Sequence, residues 1–193
     1  TAKQLGYSRV GLETNEKSST IDLVSRVDLH PRNQNDLGKQ LRRLRNKVEV
    51  IIVHGTTKSV SRQAAHDNRV DFMRFPLSGG KHLQYLDRQQ AGLMRDSGAG
   101  YEVCVRDLLV EDRFQLVKRI GIIKKSLDIA MKHDLPVVAS SGAQDMYGMR
   151  DPHGLASLLS LLGVDDETGL DMVSSIPNGV IAENRSKLGP NFI

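Results

Sequence analysis

The chain holds a single cysteine, Cys104, in 193 residues, so no internal disulfide can form. A reducing, cytoplasmic setting is the expectation that follows. Tryptophan is absent and aromatics make up only 4%, which leaves little to build a stacking platform for single-stranded bases. No apolar run approaches the roughly 18 residues that a membrane helix needs, and no membrane partner is expected. No G-x-G-x-x-G follows a strand-like segment and no P-loop is present, so neither a dinucleotide nor an NTP site is indicated. The six histidines include no H-x-H pair and no H-E-x-x-H. His30 and His54 end strand-like runs, where barrel active sites sit, and Asp28-Leu29-His30 resembles a metal-binding pattern of barrel phosphoesterases. A working site needs three or four convergent ligands, and these cannot be assembled. The expectation is no catalytic residue, no bound metal and no resident cofactor.

What is present is an uneven distribution of charge. Lys and Arg total 27 against 23 Asp and Glu, a net charge of +4. From Asp36 to Lys125 there are 18 basic and 10 acidic residues; from Ser126 to Ile193 there are 4 and 9. A basic middle beside an acidic tail region fits a face that binds polyanions. Solvated cations that merely keep the chain soluble would give the same totals.

Hydrophobic periodicity gives an alternating order of elements. The chain opens in what reads as a helix end, Ala2-Lys3-Gln4-Leu5 closed by Gly6, and a further strand before it is expected outside this sequence. Strands are expected at Tyr7–Glu13, Ile21–Leu29, Glu49–Gly55, Val70–Pro76, Tyr101–Leu109 and Pro136–Ser140. Between and after them, helices are expected from Asp36 to Lys47, Lys58 to Asn68, Gly80 to Ser97, Glu111 to His133, Pro152 to Gly163 and Pro177 to Lys187. Strands alternating with helices at short spacing mean a parallel sheet in one α/β domain over residues 1–193. An open doubly wound sheet and a distorted barrel both fit six visible strands.

Two of these helices carry cations at intervals of seven. Lys81, Arg88 and Arg95 mark one; Lys118, Lys125 and Lys132 mark the other, with Arg119 and Lys124 beside them. At 3.6 residues per turn each trio shares a side. The opposite side is apolar, with Leu83, Leu86 and Leu93 in the first and Val117, Ile120, Ile123, Leu127 and Met131 in the second. Such stripes suit the regular phosphates of folded RNA, and they equally suit a solvated helix face. Ser140-Ser141-Gly142-Ala143 ends a strand without forming G-x-S-x-G, so a nucleophile elbow is not indicated. The turn can present backbone N–H groups to a phosphate, or it can be a tight turn capped by its own hydroxyls.

Val137-Val-Ala-Ser-Ser-Gly-Ala-Gln144, then Met149-Arg150-Asp151-Pro152 and a Leu-rich helix ending in Gly163, resemble the archaeal ribonuclease P protein component 3 family. That family is related to the eukaryotic thirty-kilodalton subunit. Ser25–Leu29, Val50–His54, Arg74-Phe75-Pro76 and Val103–Leu109 extend the resemblance over nearly the whole chain. It implies a distorted TIM-like barrel of about seven parallel strands, the first of them outside this chain. The implied role is that of a subunit of the ribonuclease P endonuclease, in which RNA removes the 5′ leader of precursor tRNA and uses the magnesium. The implied partners are the RNase P RNA, precursor tRNA indirectly, and a small RRM-like protein subunit. Arg106 and Arg150 match the family pattern as RNA contacts. Arg74, Lys81, Arg88, Lys118, Lys124, Lys125, Ser140 and Ser141 follow on charge and position. The alternative on the same fold is a metal-dependent phosphoesterase.

Overall fold

A computed structural model describes residues 1–13, 18–77 and 85–188. Six strands, β1 (Arg9–Leu12), β2 (Asp22–Leu29), β3 (Val50–His54), β4 (Phe72–Arg74), β5 (Gly100–Cys104) and β6 (Val137–Ser140), form one sheet in sequence order. Every neighbouring pair is parallel. Parallel neighbours need crossovers, and from β2 to β6 helices supply them. These are α1 (Gln34–Leu44), α2 (Lys58–His66), α3 (Arg88–Ser97) and α4 (Arg113–Lys132). After β6 come α5 (Pro152–Leu159), α6 (Asp166–Val173) and α7 (Ser175–Leu188).

The sheet curls into a half-barrel. β2 and β5 are separated by β3 and β4, about 14 Å across a flat sheet at roughly 4.8 Å per strand. Yet Arg26 of β2 hydrogen-bonds Glu102 of β5 at 2.7 Å. Only curvature brings those two side chains within reach. The two faces of the sheet then bury different sets of residues, as the period of two requires. Ile51, Val53, Met73, Tyr101, Val103 and Val137 face outward and pack with residues from α1 to α4, among them Leu37, Leu41, Val60, Ala64, Met94 and Leu127. Val24, Val50, Ile52, Phe72 and Val138 face inward and meet Ile181 of α7.

α7 is tied to the N-terminal ends of three strands by polar contacts. Arg185 donates to both carboxylate oxygens of Asp22 at 2.8 Å and also pairs with Glu49. Asn184, buried, donates to the Glu49 carbonyl and to Asp71, each at 2.8 Å. Hydrogen bonding to Arg185 holds the Asp22 carboxyl below the usual carboxylate range.

Several boundaries differ from the sequence reading. β5 stops at Cys104, and Val105–Leu108 coil into a 3₁₀ turn, because the Arg106 N–H turns to the Ser141 carbonyl at 3.2 Å. α3 begins at Arg88, since Asp87 accepts from the Gln90 N–H at 2.7 Å and caps the helix there. Leu86 therefore precedes α3. The expected opening from Gly80 to Gln84, with Lys81 and Leu83, lies outside the described residues. α4 buries Ile123, Leu127 and Ala130, while Val117 and Met131, expected on its apolar side, are exposed. α6 was not expected. Asp165 caps it through the Thr168 N–H and hydroxyl, with Asp166 and Glu167 in its first turn, where the helix dipole favours acids.

Candidate nucleic-acid interface

Inward-facing positions of β2, β3, β4 and β5 gather a charged cluster toward the C-terminal ends of the strands. Arg26 and Asp28 are two apart on β2 and share a face. The Arg26 guanidinium forks onto Asp28 at 2.6 and 2.9 Å, and onto Glu102 at 2.7 and 3.1 Å. The Glu102 side chain is fully enclosed. The His54 imidazole lies 3.4 Å from Asp28, and the His30 ring stacks on it with centroids 3.8 Å apart. Burial opposes the charge on Asp28, but hydrogen bonds from His54 and Arg26 outweigh it and hold the carboxyl well below its usual range. Burial and the neighbouring His54 depress His30. The Asp28 and Glu102 carboxylates are thus committed to one internal guanidinium, an arrangement suited to fixing the strands. Among the described residues, no group of three or more His, Cys, Asp or Glu is placed to hold a metal ion.

Around this interior lie the candidate contacts. Arg74, at the end of β4, is half-buried and paired with Asp107 at 2.7 and 3.2 Å; its charge is already balanced. Ser140 closes β6 with its hydroxyl oxygen enclosed and without a hydrogen-bond partner among the described residues, so it does not present itself to a surface phosphate. The Ser141 hydroxyl accepts from the Ala143 N–H at 3.2 Å, which is the capped-turn reading of this segment. Gly142 has φ +61°, and a Cβ there would collide with the Cys104 sulfur and crowd Arg106. That close approach sets the loop after β5, with exposed Arg106, against the loop after β6. Arg150, also exposed, ends the second loop. It donates to the Tyr147 and Met149 carbonyls at 3.1 and 2.8 Å. Among the described residues, neither Asp145 nor Asp151 pairs with it. Asp145 accepts from the Tyr147 and Gly148 N–H groups, and Asp151 caps α5 through Gly154.

Arg88 and the α4 lysines Lys118, Lys124, Lys125 and Lys132 are exposed, and Lys125 sits 3.9 Å over the Tyr85 ring. Lys81 lies outside the described residues. Of the candidate contacts that are exposed, Arg88 lies on α3, Arg106 in the turn after β5, Arg150 in the loop after β6, and the lysines along α4. The Arg26–Glu102–Asp28 cluster and the Arg185–Asp22–Glu49 clasp were missed from the sequence. The alternation of β2 and β5 placed Arg26, Asp28 and Glu102 at inward positions, and that was the available signal.

A family model described as RNase P subunit p30 matches residues 3–188. Ribonuclease P protein component 3 of Methanosarcina acetivorans is 28% identical over 170 residues, covering 86% of this chain and 68% of that protein. The Methanosarcina mazei protein of the same name is 25% identical over an aligned length of 206, covering all of this chain and 83% of its own length. The Methanococcus maripaludis protein is 30% identical over 140 residues, 72% of this chain and 60% of its own length. Among solved structures, a chain from a cryo-EM structure of archaeal ribonuclease P with mature tRNA superposes with a TM-score of 0.81 at 20% identity. That superposition covers 94% of this chain and 84% of the other, and it shows a shared fold.

Proposed function

Because this chain belongs to the RNase P subunit p30 family, we propose that it is a non-catalytic protein subunit of ribonuclease P. In this role it binds and braces the catalytic RNA that removes the 5′ leader from precursor tRNA. The family match across residues 3–188 is the observation that carries the reading. The site supports it: the interior carboxylates are tied up by Arg26, while Arg88, Arg106, Arg150 and the α4 lysines stand exposed. Cations on a rigid scaffold offset phosphate repulsion while a large RNA folds. Magnesium serves the RNA and not this chain. The other partners are precursor tRNA, indirectly, and a small RRM-like protein subunit, and the setting is the cytoplasm. No helix among the described residues is long and apolar enough to cross a membrane. The metal-dependent phosphoesterase alternative gains nothing from Asp28 and Glu102, which a guanidinium already holds.

A magnesium titration of precursor-tRNA cleavage tests this. The expected result is a lower magnesium midpoint when this chain and its small partner are added to the RNase P RNA, and no cleavage by the protein without RNA. An unshifted midpoint, or cleavage by RNA-free protein, overturns the proposal.

A further inference from the structure

The first half of α4 presents an apolar face to solvent. Phe114 is 89% exposed and Val117 69%, and Leu109, just ahead of the helix, is 62% exposed. At 100° per residue, Phe114, Val117 and Gly121 fall within a sector about 60° wide. Gly121 is unexplained by the fold. Glycine is the poorest helix former after proline, yet this one sits inside a 20-residue helix, exposed, with nothing within 4 Å of where its Cβ would be. Among the described residues, no packing calls for a missing side chain there. A partner backbone lying close against the helix would. The segment from Arg113 to Ile123 contains no acidic residue and three basic ones, of which Arg113 and Lys118 are exposed.

We propose that the Phe114–Val117–Gly121 face of α4 is a docking surface for an α-helix of a protein partner, one that carries an apolar strip flanked by Asp and Glu. Apolar side chains at the centre and charge at the rim is the composition of a protein interface, and Gly121 is where the two helices come closest. RNA fits the same face poorly. Val117 and Leu109 offer phosphates nothing, and Gly121 carries no side-chain donor. A second copy of this chain fits poorly as well, because a self-complementary contact would set these cations against each other. The lysines of the second half, Lys124, Lys125 and Lys132, stay with the RNA-binding role. That the partner is a ribonuclease P subunit rests on the function proposed above.

The test uses the assembly reconstituted from its RNA and its full set of protein subunits, with Phe114 replaced by the photocrosslinker p-benzoylphenylalanine. The expected crosslink joins position 114 to a helix of another protein subunit, at apolar residues flanked by carboxylates. Each remaining subunit is then titrated singly against the parent chain, Gly121→Leu and Phe114→Asp. Gly121→Leu should keep or raise the melting temperature of the isolated chain, since the space is open and leucine favours helix. It should also weaken binding of the crosslinked subunit at least tenfold, with Phe114→Asp giving a similar loss. Crosslinks to RNA, to a second copy, or to no protein overturn the proposal, as does a folded Gly121→Leu that binds normally. Loss of cleavage when the chain is omitted checks the function proposed above separately, so the two readings fail independently.

Discussion

Removing the Arg26 guanidinium should be among the most damaging single changes in this protein. It makes four hydrogen bonds to two carboxylates, at 2.6, 2.9, 2.7 and 3.1 Å, and one of those carboxylates, on Glu102, is fully enclosed. Arg26→Met keeps the stem volume but leaves Glu102 charged and unpaired. Breaking a buried pair from one side costs about 3–5 kcal/mol. At roughly 2–4 °C per kcal/mol for a domain of this size, the melting temperature should fall by about 6–20 °C. Arg26→Lys should recover only part of this, because one ammonium cannot fork onto two carboxylates. Arg26→Met combined with Glu102→Met should recover more than half, because Asp28 keeps His54. The pH dependence has a defined sign. In the parent, Asp28 has a depressed pKa, so its contribution is present above the usual carboxylate range and is lost below about pH 4. Thermal unfolding followed by circular dichroism at pH 7, and for the parent also at about pH 3, reads both effects. A loss below about 1 kcal/mol at pH 7, the size of an exposed pair, would refute the reasoning.

Three further outcomes are expected. Replacing Lys124, Lys125 and Lys132 with Glu should weaken binding to RNase P RNA and flatten the log–log salt dependence by roughly 0.7–0.9 per lost phosphate contact; unchanged binding by a folded variant would make these lysines a solvated face. Arg150→Lys should lower support of cleavage, because an ammonium cannot reproduce a bidentate phosphate contact, while the melting temperature stays nearly level, since the Arg150 side chain is exposed and, among the described residues, donates to carbonyls of its own loop. A large thermal loss with normal activity would assign Arg150 to the loop's structure. Gly142→Ala should destabilise by about 1–2 kcal/mol from the left-handed backbone alone, and by more from the Cys104 sulfur that its Cβ would meet; an unchanged midpoint in urea unfolding would contradict that geometry.

The alternation of short strands and helices carried the α/β architecture, because a buried parallel strand such as Val50–His54 and an amphipathic helix such as α1 each leave a periodic trace. Where a boundary was misplaced, one local hydrogen bond overrode the periodicity. Asp87 accepts from Gln90 and starts α3 there, and Arg106 turns its N–H to Ser141 and ends β5. Such contacts follow from where a distant loop lands, which a window of ten residues does not contain. The interior cluster is a different case. Arg26, Asp28 and Glu102 sit at positions that the period of two assigned to the inside, but their partnership needs the curvature that joins β2 to β5 across two intervening strands. The exposed cations show the limit of reading sites from charge. Arg74 and Arg106 look alike in sequence, yet Arg74 is balanced by Asp107 while Arg106 stands exposed on the rim. Along α4, a spacing of seven identified the lysines and drew Val117 into the buried side, because helical periodicity cannot tell an apolar residue facing the sheet from one facing another molecule. Only the packed structure separates them. Ile123 and Leu127 lie against the sheet, whereas Phe114 and Val117 have no such cover.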